Sequence, residues 1–91
     1  MSEQDRISPT PDAVFTRLSD TSGTVLNLRN KRYYTLNETG LRIWELMESE
    51  GSLAKIASAL TKEFEIEHDA AVDRVREFAD DLRSEGLVEV G

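Results

Sequence analysis

The hydrophobic period of this chain switches at Asn37. Before that residue, short β-branched and aromatic runs are separated by turn residues. After it, apolar side chains recur every three to four positions. A period near two followed by a period near 3.6 requires a small sheet made first and helices packed onto it.

Three runs read as strands: Ala13 to Leu18 (AVFTRL), Thr24 to Leu28 (TVLNL) and Arg32 to Leu36 (RYYTL). Ser19 to Gly23 is a turn cluster. Asn30-Lys31 is read as a two-residue turn, because Asn tolerates positive φ. Asn37 is the expected N-cap of a first helix, accepting from the amide of Thr39 or Gly40. In that helix Leu41, Ile43, Trp44, Leu46 and Met47 cover a broad arc, so it is expected to be the most buried. Ser52 is read as the cap of a second helix, whose stripe is Leu53, Ile56, Ala57, Leu60 and Phe64. A third helix spans about His68 to Glu85, carries the apolar stripe Ala71, Val72, Val75, Phe78, Ala79 and Leu82, and ends at Gly86-Leu87, a Schellman-type stop. Leu87 to Val90 alternates as a short terminal strand. Residues 1–12, with Pro9 and Pro11, are read as a flexible lead-in, leaving one domain over 13–90. The expected fold class is α+β, a three-stranded antiparallel sheet followed by three helices.

Charge narrows the partners. Residues 1–37 hold five bases and four acids, whereas residues 38–91 hold six bases and fourteen acids. A helical half this acidic repels a nucleic-acid duplex. No run approaches a membrane span, and the start has neither the cations nor the apolar stretch of a signal peptide. With no cysteine, disulfides and thiolate chemistry are excluded, and the reading is a cytoplasmic protein.

Catalytic and cofactor signatures are missing. There is no GxGxxG, Walker or GxSxG motif. His68 is the sole histidine and lies beside Glu65, Glu67 and Asp69, too few ligands for a zinc site. The expectation is therefore no enzyme, no cofactor and no metal. What is left is an interaction surface. An exposed strand edge invites an extended chain to add to it, and Arg32, Tyr33, Tyr34, Thr35 and Leu36 form the candidate edge. The third helix can wall it with one of two flanks. One carries Asp69, Arg76 and Arg83 over Val72, Val75 and Ala79; the other carries Arg74, Asp81 and Glu85 beside Phe78. The sequence leaves the choice open, and the first flank is taken as the candidate because it offers two guanidinium groups over an apolar floor.

The run Arg32 to Gly40 (RYYTLNETG), followed by Ile43-Trp44-Glu45-Leu46 and later by Phe78, Leu82 and Gly86-Leu87, resembles the PqqD-like family. These are recognition elements for ribosomally made, post-translationally modified peptides. The similarity covers about residues 13–90. It implies a winged-helix-like fold and a non-catalytic chaperone. The leader segment of a precursor peptide adds to the third strand against the third helix. The complex is then presented to a radical SAM enzyme, a cyclodehydratase or a leader peptidase. Two departures stand out. Glu67-His68 replaces a frequent Asp-Pro, and Asn30-Lys31 replaces a Gly-containing turn. The competing readings are a winged-helix nucleic-acid-binding or regulatory accessory protein, which the acidic half opposes, and a homodimer that pairs its own edges.

Overall fold

The computed structural model describes residues 4–91. Its elements are β1 (Ile7–Pro9), β2 (Ala13–Arg17), β3 (Gly23–Asn27), β4 (Arg32–Leu36), α1 (Glu38–Ser49), α2 (Leu53–Phe64), α3 (His68–Ser84) and β5 (Val88–Val90). β2, β3 and β4 form an antiparallel sheet in that order, which leaves β4 at an edge. The expected sheet-then-helices architecture is what forms.

Pairing sorts the side chains by face. Phe15, Val25 and Tyr34 share one rung and point inward; Val14, Leu26 and Tyr33 share the next and point outward. Phe15 stacks on Trp44 of α1 with ring centroids 5.7 Å apart. Trp44, Leu41, Ile43, Leu53, Ile56, Leu60, Val75 and Leu82 are all within 2 % of full burial and form the centre of the core. α1 therefore lies under the sheet, as its broad apolar arc requires. Asn37 caps it, accepting from the Gly40 amide at 2.9 Å.

Three local expectations are corrected. The β3–β4 connection is a four-residue turn, and Lys31, not Asn30, takes the positive φ of 61°. Asn30 instead accepts from the Arg32 amide through its side chain at 3.0 Å, which frees the next position to turn. Ser52 occupies the N-cap of α2 but makes no side-chain cap bond; it forms a bridge with Arg6.

The largest correction concerns the lead-in read as flexible. β1 pairs antiparallel with β5, Ile7 opposite Val90. On its other side the Ile7 amide donates to Gly51 O at 2.8 Å, and the Leu53 amide donates to Asp5 O at 3.0 Å. Ile7 is 1 % exposed. Backbone bonds on both edges and one buried isoleucine anchor a segment that its two prolines and polar residues disguise. Residues 5–9 are thus paired and packed with the rest of the fold.

α3 ends as its sequence demands. Gly86 has φ 74°, its amide donates to Arg83 O at 3.0 Å, and the Leu87 amide donates to Leu82 O at 2.8 Å. Those two bonds define a Schellman motif, which favours glycine at that site.

Candidate peptide-binding groove

The direction of free main-chain groups on β4 follows from the ladder. The Leu28 amide donates to Asp12 O at 2.9 Å and the Leu18 amide to Ser22 O at 3.0 Å. Even-numbered residues of β3 therefore face β2, and Gly23, Val25 and Asn27 face β4. Their partners Leu36, Tyr34 and Arg32 are engaged inward. The N–H and C=O groups of Tyr33 and Thr35 point away from the sheet. Among the described residues no backbone group meets them.

Beside this edge runs a cleft of about 200 Å³, lined by Tyr34, Thr35 and Leu36, by Asn37, Thr39, Gly40 and Ile43 at the start of α1, and by Arg74, Glu77, Phe78 and Asp81 of α3. Two contacts hold α3 alongside β4. Arg32 lies 3.9 Å from Glu85, and the Tyr34 phenol donates to Asp81 at 3.4 Å. Two residues along a strand advance roughly 6.7 Å, and four along a helix about 6 Å. Strand positions 32 and 34 therefore match helix positions 85 and 81 in antiparallel sense. Near the third step, Leu36 and Phe78 converge over Gly40.

One buried polar residue sets the position of α3. Asn27 is 4 % exposed, and its side chain donates to Glu85 O at 2.9 Å while accepting from the Arg29 amide at 2.9 Å. Both ends of the amide are satisfied, and the helix C-terminus is pinned beneath β3. A strand asparagine at an inward position, two residues before a turn, was a signal available in the sequence.

Electrostatics in the groove favour a neutral Tyr34. Burial raises its pKa above the ordinary 10; the Asp81 charge and hydrogen bond, and Glu85, push the same way.

Of the sequence-predicted residues, Tyr34, Thr35 and Leu36 line the cleft, while Arg32 and Tyr33 sit at its open end and on the outer sheet face. The helix positions chosen from the sequence lie outside its lining. Val72, Val75 and Ala79 are core residues. Asp69 is exposed, Arg83 pairs with Asp80 at 3.3 Å, and Arg76 has its Nε buried with no hydrogen-bond partner among the described residues. The other flank, Arg74, Phe78 and Asp81, forms the wall, with Glu77 added. The signal was Phe78, an aromatic at the margin of the apolar stripe with ionisable residues at i−4 and i+3. Beyond Thr39 and Arg74 the cleft adjoins an apolar recess of about 180 Å³ made by Leu60, Phe64 and Ile66. The arrangement can pair an extended backbone and take an apolar side chain.

The exposed face of α3 opposes the nucleic-acid reading. Asp69, Asp73, Glu77, Asp80 and Asp81 face solvent against Arg74 and Arg83. No described helix is long and apolar enough to cross a membrane.

Comparison with known proteins supports the geometry. The family model of coenzyme PQQ synthesis protein D (PqqD) matches residues 23–88. A solved structure of TbiB1 in complex with the TbiA(beta) leader peptide superposes with a TM-score of 0.83 at 25% identity, over 89% of this chain and 93% of that one. A lasso peptide synthetase B1 complexed with the leader peptide gives a TM-score of 0.82 at 24% identity, over 92% of this chain and 98% of that one, a likeness of fold. No curated protein matches the sequence.

Proposed function

From the premise that this chain belongs to the PqqD family, we propose that it is a non-catalytic adaptor for the leader segment of a ribosomally made precursor peptide. The leader adds as a fourth strand outside β4, in the groove against α3. The loaded adaptor is then handed to a modifying enzyme of the radical SAM, cyclodehydratase or leader peptidase kind. A leader peptide bound to the solved structure at 25% identity supports the reading. The observation that carries it is the outward pair of main-chain groups on Tyr33 and Thr35 beside a ready cleft.

The test removes one outward amide without touching the internal ladder. Thr35→Pro deletes an N–H that faces the groove, whereas a proline at Tyr34 would break a bond to β3. Titration with a cognate leader peptide should show at least a tenfold weaker Kd, about the effect of one lost buried bond. Unchanged affinity in a folded Thr35→Pro protein would remove strand addition from the account.

A further inference from the structure

The wall of the groove carries a charge pattern that specifies its ligand further. Asp73, Glu77 and Asp81 of α3 and its C-cap residue Glu85 stand four residues apart and so make one carboxylate row along the helix. Glu77 and Asp81 line the cleft directly. Like charges at i, i+4 disfavour a helix, and the row is not neutralised from within. Among the described residues no ion pair reaches Asp73, Glu77 or Asp81; Asp81 has the neutral Tyr34 phenol, and Arg83 turns to Asp80 instead. Glu85, at the open end, pairs with Arg32 at 3.9 Å. Arg74 is the single cation of the lining, and it sits at the opposite end, where the cleft meets the apolar recess.

A strand added to the outward groups of Tyr33 and Thr35 places its residues opposite Arg32, Tyr34 and Leu36 on the inner face, toward α3. These alternate side chains are spaced roughly 6.7 Å apart, close to the roughly 6 Å step of the carboxylate row. The geometry points to a leader segment with Lys or Arg at alternate positions, opposite Tyr34 and opposite Leu36, reading Asp81 and Glu77. The next inward residue beyond Leu36 is then apolar, directed toward the recess of Leu60, Phe64 and Ile66. This rests on the strand-addition reading above and adds to it the charge class of the ligand. The free edge and the cleft supply the site, and the carboxylates supply its selectivity.

A random 12-residue peptide library displayed against the folded protein tests it. Peptides that win should carry Lys or Arg at alternate positions well above their frequency in the input. A synthetic winner should bind about fivefold tighter than its version with those cations changed to Gln, the scale of two partly exposed ion pairs. The gap should close at high salt. It should also close in a Glu77→Gln/Asp81→Asn protein and persist in Glu48→Gln, a carboxylate outside the groove. Hydrogen exchange of the Tyr33 and Thr35 amides separates the two ideas. Slowed exchange with no preference for cations overturns the charge reading and leaves strand addition standing. Binding that leaves those amides unprotected, or no enrichment over the Thr35→Pro protein, overturns both.

Discussion

The Tyr34 phenol donates to the Asp81 carboxylate at 3.4 Å, so one hydrogen bond spans from the edge strand to the groove helix. With Arg32 near Glu85 it sets how far apart the two walls stand. The contact is partly exposed, so its direct worth to stability is small. Its consequence is for position and for pH.

A Tyr34 pKa raised in the folded state means that the native protein holds the phenolic proton more tightly than the unfolded chain. The resulting stabilisation is complete below the ordinary value of 10 and is lost as pH rises through the higher folded value. In a Tyr33→Phe background, absorbance at about 295 nm isolates the Tyr34 titration. The midpoint should lie above 10. Asp81→Asn should bring it down toward 10. A midpoint unmoved by Asp81→Asn would mean that the carboxylate does not hold the phenol.

Gly40 leaves room for a methyl group in the floor of the groove. A methyl added there would lie 3.4 Å from Phe78 and from Asn37 and 3.6 Å from Leu36, ordinary contact distances. Gly40→Ala should therefore stabilise the fold by about 0.5–1 kcal/mol through helix propensity. It should at the same time weaken leader binding by filling the floor beside Phe78. Chemical denaturation followed through Trp44, the single tryptophan, checks the first effect, and peptide titration checks the second. A gain in both would show that the leader does not reach this floor.

The N-terminal segment should behave as part of the core. Ile7 is 1 % exposed between the α1–α2 loop and β5. Ile7→Ala should cost about 2–4 kcal/mol, the range for emptying a buried aliphatic site. A chain shortened to residues 13–91 should melt at a lower temperature than the full chain. Equal melting temperatures would return residues 5–9 to the status of a tail.

Much of this molecule was legible before any coordinates. Asn37 marked the change of period, and the RYYTL run with its flanking turns marked β4. Gly86-Leu87 marked the end of α3. Each is a local signal, carried by propensity, capping or a glycine that only one backbone shape uses. Periodicity also assigned Val72, Val75, Phe78, Ala79 and Leu82 to one buried stripe of α3, and they are buried.

What the sequence could not decide was which side of that stripe meets the strand. Both flanks of α3 have charged residues next to apolar ones, and periodicity is blind to the two. The choice of Arg74, Glu77 and Asp81 over Asp69, Arg76 and Arg83 comes from the packing of α3 under the sheet, with Asn27 holding its last turn. The pairing of β1 with β5 is non-local in the same way, joining Ile7 to Val90 across almost the entire chain. The amino-acid sequence determined the elements from β2 onward, the helix caps and the aromatic strand, because these depend on neighbours a few residues apart. Only the tertiary structure decided which helix face became the groove wall, because that depends on contacts between distant segments competing for one core.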